Sequence, residues 1–237
     1  MLTRFTRNRF RGLKDKIRYM KLRYAVLIIA VIIIADQALK IWIKTSFPIG
    51  HVKDVMGLSW FQLYFIENPG MAWGMELGGE WGKMLLTLFR MAAVIFGTWY
   101  LAKIVRRRYT RGFIICASLI YAGALGNLID SMFYGMAFSE SDRSTIATMF
   151  PPGGGYAGFL HGHVVDMLYF PIIDTTIGGK HVLFFSPIFN IADASISLGV
   201  IILLIFQKRF VRRYDEDPSP DQPVVTNTEV SDKAHVM

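Results

Sequence analysis

Tyr24–Lys44 reads YAVLIIAVIIIADQALKIWIK, an apolar run broken near its end by Asp36, Gln37 and Lys40. A helix that crosses a bilayer needs about 20 predominantly apolar residues, and this block has that length. Working outward, Met84–Val105, Gly112–Ile129 and Ile188–Phe206 meet the same criterion. The pattern predicts a mainly α, polytopic membrane protein with transmembrane helices over about 24–44, 84–105, 112–130 and 188–206. The composition agrees. Of 237 residues 53% are hydrophobic and 19% charged, against about 25% charged in a soluble domain. A mean hydropathy of +0.37 points the same way. A soluble globular enzyme, a disordered chain and a disulfide scaffold are excluded; Cys116 is the sole cysteine, inside the third block, so neither a disulfide nor a thiolate metal site is available.

The net charge of +8 would suit nucleic acid if the basic residues lined one groove. They are spread along the chain instead. A first group spans Arg4 to Arg23, a second is Lys103, Arg106, Arg107, Arg108 and Arg111, and a third is Lys208, Arg209, Arg212 and Arg213. The longer connections between the first and second and between the third and fourth blocks hold only Lys53, Lys83, Arg143 and Lys180. Basic flanks mark the cytoplasmic side, so the expected topology places both termini inside, and the positive charge faces anionic membrane lipid rather than nucleic acid. The basic start followed by an apolar run resembles a secretory signal, but the run continues through Ala38, Leu39, Ile41, Trp42 and Ile43 with no cleavage-type site; the expectation is a retained first span.

Residues 1–23 read as a basic cytoplasmic arm, helical in part on the membrane surface. In the outer region 45–83, Gly57–Ile66 (GLSWFQLYFI) is aromatic and β-favouring and breaks at Asn68-Pro69-Gly70, which predicts a small extracytoplasmic β-sheet between spans 1 and 2. Trp60, Phe61, Tyr64, Phe65 and Trp73 suit the membrane interface. A second outer connection follows the third span; its first part, 131–163, reads as an insertion carrying a flexible Pro151-Pro152-Gly153-Gly154-Gly155 run. Residues 207–237 form a cytoplasmic tail, and its polar, acidic part from 214 onward predicts disorder. There is no internal repeat.

Ionisable groups at membrane depth cost about 2.5–3.5 kcal/mol each and mark function. Here they are Asp36, Lys40, Arg90, Asp130, Asp166 and Asp193, all toward the outer ends of the spans. Asp36 and Lys40 stand four apart on one helix face and read as an ion pair that anchors the first span and braces the outer sheet. Arg90 can snorkel outward and is assigned no chemistry. Gly126-Asn127-Leu128-Ile129-Asp130 ends the third span and Phe189-Asn190-Ile191-Ala192-Asp193 opens the fourth, so each presents an amide and a carboxylate on one face. Asp166 lies between them in an apolar run, Val164–Leu168. Caps and interhelical hydrogen bonds account for one such acid more easily than for three with two Asn partners.

Taken in order, Asp36-Gln37-x-x-Lys40, Asn68-Pro69-Gly70-Met71-Ala72-Trp73-Gly74, Gly126-Asn127-x-x-Asp130, Val164-Val165-Asp166 and Phe189-Asn190-x-Ala192-Asp193 resemble the motifs of the bacterial lipoprotein signal peptidase (signal peptidase II) family. The resemblance covers about residues 24–206. It implies a metal-free and cofactor-free aspartyl endopeptidase of the inner membrane, with its site at the outer face and globomycin as inhibitor. Its substrates would be lipid-modified prolipoproteins, cleaved before the diacylglyceryl-modified cysteine. It assigns the catalytic pair to Asp166 and Asp193, and places Asn68, Gly70, Asn127, Asp130, Asn190, Asp36 and Lys40 in or beside the site. Two departures stand out. Ser131 follows Asp130 where the family usually has Arg, which directs the search for a partner of Asp130 elsewhere, with Arg143 as candidate. The stretch from Asp130 to Asp166 is also longer than is common in the family, and the surplus reads as a lid or substrate rail.

Elementary chemistry is compatible with this. Hydrolysis of an amide without a metal or a protein nucleophile needs a base for water and an acid for the carbonyl oxygen, and two close carboxylates sharing one proton supply both. Two rivals come from other classes. His161-x-His163-x-x-Asp166 has the residue types of a metal hydrolase, and Asp and Asn within the membrane also suit a proton-coupled transporter, although no repeat is visible and the acids share one level. Single-domain size points to a monomer.

Overall fold

The computed structural model describes residues 20–69, 79–171, 173–177, 180–184 and 187–210. Four long helices dominate: α1 (Leu22–Ser46), α2 (Gly79–Arg106), α3 (Arg111–Ala137) and α4 (Ile191–Phe210), each long and apolar enough to cross a membrane. Burial is inverted relative to a soluble protein. Val26, Leu27, Val31 and Ile34 on α1 and Leu204 and Ile205 on α4 are exposed, whereas Lys40, Lys44 and Asp36 are among the most deeply buried side chains. In a bilayer an apolar exterior is solvated by lipid, and polar groups must find their partners inside. α3 is the central helix, half of its apolar stretch being buried (50%) against 17% for each of the others.

Without a hydrophobic drive between helices, close backbone contact at small residues holds such bundles together. A Cβ on Gly123 would lie 2.2 Å from the Ala192 carbonyl oxygen, and one on Gly199 2.9 Å from that of Cys116. At Gly126 the Cβ would meet Asp36 Oδ2 at 2.9 Å. These glycines draw α4 and α1 against α3 at the level of the polar residues.

Between the helices lies a four-stranded antiparallel sheet in the order β1-β2-β3-β6, formed by β1 (Val52–Val55), β2 (Leu58–Asn68), β3 (Val164–Tyr169) and β6 (Ile188–Phe189). A separate hairpin joins β4 (Ile173–Ile177) to β5 (Lys180–Phe184). The expected sheet is present, and it also recruits β3 and β6 from the second connection. Pairing of Asn68 with Val164, Glu67 with Val165 and Ile66 with Asp166 sets the depth of β3. By strand alternation Val165 and Met167 point one way, into a core with Ile43, Phe65, Tyr134 and Phe138. Asp166 points the other way. Leu168 pairs with Phe189, which brings β3 beside the start of α4.

Several boundaries differ from expectation, α2 beginning at Gly79 rather than near Met84. α3 does not end at Asp130 but runs on to Ala137, so 131–137 of the expected insertion are helical. α4 begins at Ile191, because Ile188 and Phe189 pair with β3. The remainder of the insertion folds back along α3: Phe150 N–H donates to Ala137 O at 2.7 Å, Ala157 to Gly135 O at 2.9 Å and Gly162 to Ser131 O at 2.9 Å. The first two satisfy carbonyls that the helix end leaves open. Gly155 and Gly162 make the approach possible, since a Cβ on either would lie 2.0 Å from a helix carbonyl oxygen, of Gly135 and Asp130 respectively. The glycine run thus ends in a packing contact rather than a free hinge. Thr87 Oγ1 donates to Leu160 O at 3.0 Å, fastening the returning loop to α2.

Most of the basic arm (1–19) and the tail from 211 onward lie outside the described residues, as do Gly70 and the following Met71–Gly74 motif positions.

Candidate active site

Asp36 and Lys40, one turn apart on α1, form the expected ion pair at 2.9 Å with both side chains buried. The pair braces more than its own helix. Lys40 Nζ also meets Asp130 Oδ2 at 2.7 Å and donates to Asn127 Oδ1 at 3.0 Å, while Asp36 Oδ1 accepts the Ala192 N–H at 2.9 Å. It ties α1 to α3 and to the first turn of α4, and reaches the sheet through Asp130, whose Oδ2 also accepts the Val165 N–H at 3.4 Å. Asp130 is therefore paired with Lys40; Arg143 is exposed and has no part in it. Gln37, which lies between Asp36 and Lys40 in the motif, donates to Asp130 Oδ1 at 2.8 Å and accepts the Tyr134 hydroxyl at 3.1 Å. Its position one residue after an intramembrane acid was the available signal for this role.

Above this base, two amides separate two carboxylates. Lys40 is a donor only, so Asn127 presents its oxygen to it. Its Nδ2 then donates to Asp193 Oδ1 at 2.7 Å. Asn190 stands just before α4. Its Oδ1 accepts the Asp193 N–H at 2.8 Å, as an N-cap does. Its Nδ2 donates to Asp166 Oδ1 at 2.6 Å and lies 3.2 Å from Asn127 Oδ1. A continuous hydrogen-bonded path therefore runs from Asp166 through Asn190 and Asn127 to Asp193, joining β3, α3 and α4.

The environments of the two acids differ. Asp166 is 3% exposed, and burial followed by the charge of Asp193 pushes its carboxyl up to about 7, against the opposing effects of Lys40 and the Asn190 bond. Asp193 is partly exposed in the first turn of α4, where free N–H groups favour an anion. Asn68 closes β2 opposite Val164, beside the same strand. Arg90 does not simply snorkel: its Nη1 donates to the buried Ser131 Oγ at 2.7 Å.

A second polar cluster lies one turn further along α1. Lys44 binds Glu67 and donates to Ser141 Oγ at 2.9 Å, its Nζ 5.0 Å from the centre of the Tyr156 ring. His163 Nδ1 lies 3.3 Å from Glu67 Oε2. Burial acts to raise the Glu67 carboxyl, but His163, Lys44 and Ser141 outweigh it and hold it below its ordinary value. His163 is thus engaged with Glu67 and His161 with the Phe159 carbonyl oxygen, so the sequence cluster His161, His163 and Asp166 does not converge. Among the described residues no group of three or more His, Cys, Asp and Glu is placed to hold a metal ion.

Four membrane-length helices around a buried network of carboxylates and amides have the make-up of a membrane-embedded enzyme. The comparisons identify the particular one. A family model described as signal peptidase (SPase) II matches residues 28–209. The lipoprotein signal peptidase of Porphyromonas gingivalis is 48% identical over 187 residues, covering 76% of this chain and 80% of that protein. That of Amoebophilus asiaticus is 30% identical over 223 residues, covering 86% and 85%. A solved bacterial membrane enzyme, determined by the in meso method at 1.9 Å resolution, superposes with a TM-score of 0.54 at 26% identity, covering 81% of this chain and 97% of that one. The chain belongs to the signal peptidase II family: it is a bacterial membrane protein and an aspartic-type protease that processes prolipoproteins.

Proposed function

We propose that Asp166 and Asp193 are the catalytic pair, cutting the signal peptide from the prolipoprotein immediately before its diacylglyceryl-modified cysteine. The observation that carries this is the path of amides between the two carboxylates, with Asp166 held up to about 7. Two acids in such an environment retain one proton between them near neutral pH. The charged member takes a proton from water as its oxygen attacks the scissile carbonyl carbon. The neutral member gives its proton to the carbonyl oxygen. Asn127 and Asn190 fix the two carboxyl groups, Asp36, Lys40, Asp130 and Gln37 form the rigid base beneath them, and Asn68 and Gly70 border the substrate.

The substrate is an apolar helix carrying a lipid, which explains a hydrolytic site at membrane depth. An apolar groove of about 550 Å³ between α2, α3 and α4, lined among others by Phe96, Tyr100, Phe113, Tyr121 and Leu203, offers the helix a lateral berth. Its lining reaches Ala93 and Ala124, one turn from Arg90 and Asn127. The basic α2–α3 connection and the basic end of α4 support a cytoplasmic location for both termini, with the site at the outer face of the inner membrane. Membrane lipids contact the exposed apolar faces, and the protein acts as a monomer.

The test is incubation of the purified protein with a lipidated prolipoprotein, with and without globomycin, followed by mass measurement of the product. Wild-type protein should release a product beginning at the modified cysteine. Asp166→Asn and Asp193→Asn should remain inserted and release none. Turnover by either variant at the wild-type rate would sink the pair.

A further inference from the structure

One membrane-level cation has no role in the scheme above. Arg90 is half-buried on α2, and its guanidinium points inward, to a serine that is itself 1% exposed. Ser131 Oγ accepts from Arg90 at 2.7 Å and donates to the Asn127 carbonyl at 2.9 Å. Asn127 is the residue whose amide holds Asp193. From Arg90 the contacts lead through Ser131 and Asn127 to Asp193, whereas the amide donor of Asp166 is Asn190. Of the buried cations on α1, Lys40 is bonded to Asp36 and Asp130 and Lys44 to Glu67. Arg90 is therefore linked unequally to the two acids. Asp193, which it reaches through Ser131 and Asn127, also sits in the first turn of α4, while Asp166 has burial and one neutral amide.

We propose that Arg90 is a positioning residue that holds Asp193 as the carboxylate of the pair and so leaves the shared proton on Asp166. This rests on the reading of Asp166 and Asp193 as the reacting acids, and it orders the steps. An O–H bond of water breaks and Asp193 takes the proton; the water oxygen bonds to the scissile carbonyl carbon, whose π pair moves to oxygen and takes the proton of Asp166. On collapse Asp193 passes its proton to the leaving nitrogen as the C–N bond breaks, and one hydroxyl proton returns to Asp166. The other charged groups facing the pair are Asp36 and Lys40 from α1 and Asp130 from α3.

The measurement is the pH dependence of kcat/KM for cleavage of a lipidated prolipoprotein peptide by the purified full chain, since its limbs report groups of the free enzyme. Arg90→Gln should move the acid limb upward by about one pH unit, because loss of a nearby cation makes a carboxylate harder to form. Arg90→Lys should restore most of that shift. Ser131→Ala keeps every charge and removes the hydroxyl that joins Arg90 to the Asn127 carbonyl; it should move the limb in the same direction by a smaller amount. An acid limb unmoved in Arg90→Gln overturns the proposal. Should Arg90→Gln fail to insert, an unmoved limb in Ser131→Ala overturns it instead. Asp193→Asn serves as the control: activity there removes the pair itself, whereas an inactive Asp193→Asn beside an unshifted Arg90→Gln removes only the role of Arg90.

Discussion

At the scale of single residues, charge is placed by partners rather than by exposure. Asp166 is an acid whose proton persists to about 7 in the folded protein, so the alkaline limb of cleavage should fall near that pH. The sign for stability follows. Between the ordinary aspartate value near 3.9 and about 7 the folded state binds more protons than the unfolded chain, so this residue's contribution to stability declines as pH rises through that window. Asp166→Asn should lack that decline, and its thermal midpoint relative to wild type should be higher at pH 8 than at pH 5. A constant difference would refute the assignment. Lys40 is the opposite case, a buried cation with two carboxylate partners. Breaking a buried pair by removing one member costs about 3–5 kcal/mol, so Lys40→Met should unfold at a markedly lower temperature in detergent. The Asp36–Lys40 pair was legible because helical spacing alone brings residues four apart together. The contact of Lys40 with Asp130 was not, since no local rule joins α1 to α3.

At the scale of elements, glycine spacing sets how closely the helices pack, and that in turn sets the site. Gly123 admits the Ala192 carbonyl, and Ala192 lies between Asn190 and Asp193. Gly123→Val should push the start of α4 away and lower both thermal stability and cleavage, although it touches no acid; unchanged cleavage by a folded variant would contradict this. The sheet is tied to α1 and the returning loop through Glu67, Lys44, Ser141 and His163. Because the Glu67 carboxyl is held below its ordinary value, the stability it contributes is fully present above the unfolded glutamate value near 4.3 and is lost as pH falls through its lower folded value. Glu67→Gln should abolish that acid dependence in thermal unfolding curves. Of these elements, α1 and β2 were close to their expected extents. The end of α3 was misplaced because its polar Asn-Asp motif looks like a helix end in sequence, whereas its partners are buried within the helix's span; the start of α4 shifted because Ile188 and Phe189 pair with β3.

At the scale of the whole molecule, the central place of α3 explains why a long connection after Asp130 is tolerated. The chain leaves along an extended helix and returns against it with its carbonyls satisfied, so the site is not disturbed. The expected arrangement in the membrane makes its own prediction. Single cysteines introduced at Arg107 and at Met56 in a Cys116→Ala background should be labelled by a membrane-impermeant maleimide from opposite sides of inner-membrane vesicles. Labelling of both from one side would refute the topology.

By itself the sequence determined the solvent and the inventory: four apolar blocks of bilayer length, their basic flanks, and a short ordered set of acids and amides too costly to be incidental in a membrane. These follow from periodicity, length and local charge, which a chain carries without folding. Only the tertiary structure decided the pairings: Lys40 with Asp130, Asn127 with Asp193, Asn190 with Asp166, and Arg90 turned inward onto Ser131. Each joins residues distant along the chain through glycine contacts and strand register, and those exist only once the helices and the sheet have packed.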